Sequence, residues 1–139
     1  MIRFVLDCSV TMSWCFEDEK NDYTENILSS LKKEHEARVP PVWKLEVSNV
    51  LLIAERKKRI SPLIINNFKN ALTTLPISMD LSSNDRVFDT VFELARELQL
   101  TAYHAAYLEL AFREKIPLAT QDQALLKAAK KIHVEHFKA

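Results

Sequence analysis

Three acidic residues stand where a chain would need them to do chemistry. Asp7 closes the apolar run Ile2-Arg3-Phe4-Val5-Leu6, Glu46 sits in the stretch Leu45-Glu46-Val47, and Asp122 lies just beyond Ile116-Pro117-Leu118-Ala119-Thr120. If both runs are strands of one parallel sheet, Asp7 and Asp122 meet beyond its carboxyl edge, where open α/β sheets gather functional groups, although 115 positions separate them. Glu46 either lies at a helix edge or points into something polar. Aimed at the other two acids, it completes a cleft of three carboxylates. Like charges that close repel unless a cation sits among them, and a hard divalent ion such as Mg²⁺ or Mn²⁺ suits oxygen ligands. Water retained on such an ion can attack phosphorus while the ion stabilises the developing charge, so the reaction class is phosphodiester hydrolysis. Taken singly, each acid has a plainer use. An aspartate after a strand is often a helix cap, and a glutamate on a helix is usually solvated.

The elements that must position these acids alternate. Ile2–Leu6 is too short for a helix and predicts a buried strand. Ser9 or Ser13 is expected to cap a short helical stretch carrying Trp14 and Phe16, and a longer helix is expected over about 23–36, with Ile27, Leu28 and Leu31 on one face. Ala37-Arg38-Val39 predicts a strand closed by Pro40-Pro41. Helices follow over 42–58 and from Ser61-Pro62 to about Leu75. Pro76-Ile77-Ser78-Met79 reads as a weak strand. Ser83-Asn84-Asp85 is expected to cap a helix reaching about Leu98, and Thr101 the helix 102–114. A strand over 116–120 and a last helix over 123–131 complete an α/β domain with a mostly parallel sheet. No repeat or linker interrupts residues 1–139, which read as one domain.

Composition narrows the function further. Nineteen basic and nineteen acidic residues cancel, which excludes a strongly basic nucleic-acid-coating chain and an acidic disordered one. The 139 residues include no glycine, so the glycine loops that cradle nucleotides in Rossmann and Walker motifs are excluded. Cys8 and Cys15 fit neither a disulfide framework nor a Cys-x-x-Cys knuckle and are expected to be reduced thiols. The opening apolar run stops after a few residues, so no signal peptide or membrane span is expected and the location is read as cytoplasmic.

Four segments in order carry a resemblance. They are Val5-Leu6-Asp7-Cys8-Ser9; Pro41-Val42-Trp43-Lys44-Leu45-Glu46-Val47-Ser48-Asn49; Leu100-Thr101-Ala102-Tyr103-His104-Ala105-Ala106-Tyr107-Leu108-Glu109-Leu110-Ala111; and Leu118-Ala119-Thr120-Gln121-Asp122-Gln123-Ala124-Leu125. With them the chain resembles the PIN domain family, and within it the VapC-type toxins of bacterial toxin–antitoxin pairs. The resemblance implies a Rossmann-like three-layer α/β/α fold and a divalent-metal-dependent ribonuclease. It also implies a small VapB-type antitoxin as partner and a homodimer. Asp7, Glu46 and Asp122 match three of the family's four acidic positions, and His104 stands where the fourth aspartate is expected.

His104 divides the functional readings. Its nitrogen suits Mn²⁺ or Zn²⁺ better than Mg²⁺, and in the first turn of a helix the field disfavours imidazolium. A neutral imidazole there is either a fourth ligand oriented by a neighbouring acid, a non-ligating substitute in a weakened site, or unrelated to the site. The chain is accordingly read as a metal-dependent endoribonuclease toxin, with a catalytically impaired PIN-domain binder of an antitoxin as the alternative. Ser9 and Thr120 are candidates to hydrogen-bond the carboxylates or phosphate, or else to turn the backbone. Asn49, three positions after Glu46, is a candidate to steady it, or else solvated. Trp14 and Phe16 are read as core or as a partner surface. The run Glu55-Arg56-Lys57-Lys58-Arg59 is read as a solvated face.

Overall fold

A computed structural model describes all residues 1–139. Four parallel strands are hydrogen-bonded in the order β3-β2-β1-β4, where β1 is Arg3–Leu6, β2 Glu36–Val39, β3 Ile77–Met79 and β4 Leu118–Ala119. Seven α-helices connect and cover them: α1 (Cys8–Ser13), α2 (Asp22–Lys33), α3 (Val42–Arg56), α4 (Pro62–Thr73), α5 (Phe92–Leu98), α6 (Ala102–Glu114) and α7 (Gln123–Lys131). The result is the three-layer α/β/α arrangement with an all-parallel sheet.

Strand β1 is central, and Phe4, Val5 and Leu6 are fully buried there because helices cover both faces of a parallel sheet. Its register pairs Phe4 with Ala37 on one side and Leu6 with Ala119 on the other. Helix α6 supplies the largest share of one covering layer through Ala105, Tyr107, Leu108, Leu110 and Ala111, all buried. The chain winds outward from β1 to β2 and β3, then returns to place β4 on β1's other side. Strand order therefore reverses between β1 and β4. That switch point opens a crevice beyond the carboxyl ends, since the two flanking connections leave toward opposite faces.

Helix starts follow side-chain chemistry. Asn21 and Thr24 form a reciprocal capping box on α2, Ser61 caps α4 with Pro62 at its first position, and Thr101 accepts from the His104 N–H on α6. Expectation and structure differ in three places. The first helix begins at Cys8 with Asp7 as its flanking residue, and Ser9 bonds Asp7 instead of capping. Trp14 and Phe16 lie beyond that helix, buried, with the Trp14 indole donating to the Thr24 carbonyl, so they offer no partner surface. The expected helix from Ser83 is a 3₁₀ stretch (Leu81–Arg86), a π-helical turn (Val87–Val91) and then α5, because Asp80 takes the Ser82 N–H and both serine hydroxyls and tightens the start. The last strand pairs over Leu118–Ala119 only. Outside it, the chain end adds a single parallel bridge through His136.

Candidate active site

Asp7 is the first residue beyond β1 and is buried, 3% exposed. It flanks α1 without giving that helix a side-chain hydrogen bond, so its carboxylate is available for other work. Its Oδ2 accepts from the Ser9 hydroxyl at 2.7 Å and from the Thr120 hydroxyl at 2.7 Å. Each hydroxyl in turn accepts a backbone N–H from the connection after β4: Asp122 N–H to Thr120 Oγ1 at 3.0 Å, and Gln121 N–H to Ser9 Oγ at 3.1 Å. The Gln121 side chain closes the arrangement, donating to the Ser9 carbonyl and accepting from Asn21. The connections after β1 and β4 are thus tied together across the switch point, and Asp7 Oδ1 is left without a protein donor.

Asp122 starts α7, where its Oδ1 accepts the Leu125 N–H at 2.8 Å, an ordinary helix cap. Its Oδ2 lies 3.8 Å from His104 Nε2. His104 projects from the first turn of α6 and is half-buried. Glu46 comes from α3, the helix that follows β2, and its Oε1 accepts from the Tyr107 hydroxyl at 2.5 Å. Burial pushes the Glu46 carboxyl above its ordinary range, the Tyr107 hydrogen bond opposes this, the nearby Asp7 charge adds to it, and His104 opposes it. Those mutual influences bring Asp7, Glu46 and His104 into one neighbourhood, and the His104–Asp122 contact joins the fourth group. Cys8, beside them, is pushed up to about 12 by burial and then by the Glu46 and Asp7 charges, so it stays a thiol and is no nucleophile.

Each acid therefore spends one oxygen on a protein donor and keeps another. That donor set, three carboxylate oxygens and one imidazole nitrogen, fits a divalent ion in kind. No three of the ligating side chains are gathered tightly enough to hold a single ion directly, so the fit is that of a water-rich ion such as Mg²⁺, which usually retains several of its own waters.

Asn49 does not take the position expected of it. It is exposed on α3 and makes no hydrogen bond to Glu46; Tyr107 is the partner instead. Spacing carried a faint signal for Tyr107: it falls three residues after His104 on an otherwise apolar helix face, and a buried phenol needs an acceptor. Gln121 gave no such signal. The basic run after α3 is solvated except at Arg59, which pairs with Asp18 and Glu19 and lies over the Phe16 ring.

Seventeen chains among solved structures match this one. They include PAE2754 from Pyrobaculum aerophilum, at 20% identity and a TM-score of 0.68, over 91% of this chain and 86% of that one. They also include VapBC2 from Rickettsia felis, solved bound to a DNA fragment from their promoter, at 15% identity and a TM-score of 0.67 over 98% of each chain. At these identities the likeness is one of fold. No curated protein matches the sequence. The family model described as PIN domain matches residues 4–131, nearly the whole chain, and with the acids assembled at the β1/β4 switch point this chain belongs to the PIN domain family.

Proposed function

We propose that the chain is a divalent-metal-dependent endoribonuclease, the toxin component of a VapBC-type toxin–antitoxin pair acting in the cytoplasm. Asp7, Glu46 and Asp122 would hold the ion, with His104 beside them. The observation that carries this reading is the uncommitted oxygen on each acid, because carboxylates with a purely structural role end up fully paired. The ion would supply charge stabilisation on the phosphate as the P–O bond breaks. Ser9 and Thr120 fix the Asp7 carboxylate, Tyr107 fixes that of Glu46, and the start of α7 fixes Asp122, so little reorganisation is left for the reaction itself. The fold shared with Rickettsia felis VapBC2 supports a small VapB-type antitoxin as partner. Exposed Phe88, Phe92 and Phe112 support a homodimer that covers them, to be read as twice the monomer mass by light scattering.

A second reading has its own observation. The 3.8 Å contact between His104 and Asp122 occupies the oxygen that an ion would take, which favours an impaired site retained for binding. One assay separates the two. Native protein, His104→Asp and Asp7→Asn are incubated with mixed RNAs in Mg²⁺, in Mn²⁺ and in chelator. The nuclease reading expects metal-dependent cleavage by native protein and a loss of more than about 100-fold in Asp7→Asn. Inert native protein alongside an active His104→Asp variant assigns the chain to the impaired class. Inactivity of both overturns the nuclease reading.

A further inference from the structure

Helices α3 and α6 both begin at the carboxyl edge of the sheet, α3 because it follows β2 and α6 because it runs back antiparallel into β4. Their first turns flank the acids. Leu45 precedes Glu46 and is 72% exposed; Tyr103 precedes His104 and is 60% exposed. Tyr103 lies one turn before Tyr107 on the same helix face, and Tyr107 is the residue that holds Glu46. The phenol of Tyr107 and that of Tyr23 both have hydrogen-bond acceptors in the protein, whereas that of Tyr103 has none. An aromatic ring and a leucine side chain are thus left in solvent at the mouth of a polar, acidic site.

The electrostatics make those two residues informative. No lysine or arginine pairs with Asp7, Glu46 or Asp122, and the formal charge of the chain is zero. Phosphates are therefore not drawn to the site by a basic lining, and the acids repel them until an ion is bound. Affinity for RNA must come from elsewhere, and every base offers a π-face to an exposed ring.

We propose that Tyr103 is the base-stacking platform of this site and that the substrate is RNA with unpaired bases at the cleavage point. Bases within an A-form helix are stacked on each other and cannot be splayed onto a side chain. Leu45 forms the opposite apolar wall. This inference rests on the ribonuclease reading and narrows it.

The test compares native protein, Tyr103→Ala and Tyr103→Phe on one single-stranded oligoribonucleotide and on the same sequence locked in a hairpin stem, with kcat and KM measured separately. Tyr103→Ala is expected to raise KM about tenfold or more at near-constant kcat, as loss of one stacked base does. Tyr103→Phe keeps the ring and is expected to retain the native KM. The stem is expected to be a poor substrate for all three. An oligonucleotide abasic at the stacked position should bring native protein to the level of Tyr103→Ala. Unchanged KM in Tyr103→Ala, an equal loss in Tyr103→Phe, or efficient cutting of the stem each overturns the inference while leaving the nuclease intact. If native protein cuts no RNA under any metal condition, the ribonuclease reading falls and this one falls with it.

Discussion

Each acid of the site has one oxygen bonded to a donor from a distant part of the chain: Thr120 for Asp7 and Tyr107 for Glu46, alongside the local Leu125 N–H for Asp122. Tyr107 is the least replaceable of these. It is fully buried, and its hydroxyl is the only side-chain donor to Glu46, a carboxylate already destabilised by burial. Tyr107→Phe keeps the ring in the core and deletes that donor. The expected result is a fall of about 10- to 100-fold in RNA cleavage, of the kind seen when a ligand's supporting hydrogen bond is removed. The melting temperature should change little by comparison, so equal losses of activity and of folded protein would mean that Tyr107 is only structural. Asn49, the partner suggested by helix spacing, is exposed, and Asn49→Ala is expected to leave cleavage unchanged.

Four helices and turns end without glycine in a conformation that normally calls for it. Lys58, Gln99, Lys115 and His133 all have φ near +60°. Each is followed by the long backbone bond of a Schellman ending: Arg59 to Ala54, Leu100 to Ala95, Ile116 to Ala111 and Val134 to Ala129. In three of the four the next residue (Leu100, Ile116, Val134) packs on the core and anchors the turn. A side chain in this left-handed region is strained by its Cβ, and glycine is not. Replacing Gln99 or Lys115 with glycine is expected to stabilise the protein by about 0.5–1 kcal/mol, after allowing for glycine's larger entropy loss on folding. Urea unfolding checks this: the midpoint should rise at constant slope. A lower midpoint would show that the native side chain makes a compensating contact. The glycine count made loops of the nucleotide-binding kind unavailable to this chain, but it could not reveal that four endings bear the strain instead.

Across the molecule, a charged network fastens the loop after β3 to α6. Arg113 binds Asp80 and Glu109, while Arg38 binds Glu114 and lies 3.5 Å from Asp80. Burial works to raise the Asp80 pKa, but hydrogen bonds from Ser83, Arg113 and Ser82 outweigh it and hold the group at about 2, below its ordinary 3.8. Glu114 is lowered by its hydrogen bonds from Arg38, against a smaller opposing effect of burial. A carboxyl whose pKa is depressed by folding contributes stability above its unfolded pKa and loses it as pH falls through the folded one. Stability is therefore expected to decline between about pH 4 and about pH 2, with Asp80 accounting for about 2 kcal/mol. Asp80→Asn should be less stable at neutral pH and flatter across that window. A variant as acid-sensitive as the native protein would place the titrating groups elsewhere.

Local signals carried much of this. The alternation of strand and helix was legible because hydrophobic period is a property of neighbouring residues, and helices 102–114 and 123–131 begin and end where their caps predicted. The placement of Asp7 and Asp122 beyond strand ends was legible for the same reason. The π-turn at Val87–Val91 was not, because Asp80 sets it from outside the segment. Nor were the bonds from Thr120 to Asp7 and from Tyr107 to Glu46, which span 113 and 61 positions. Those pairings depend on β4 lying beside β1 and on α6 lying near α3. Strand order and layer packing come from burying the whole apolar surface at once, and no single segment encodes them.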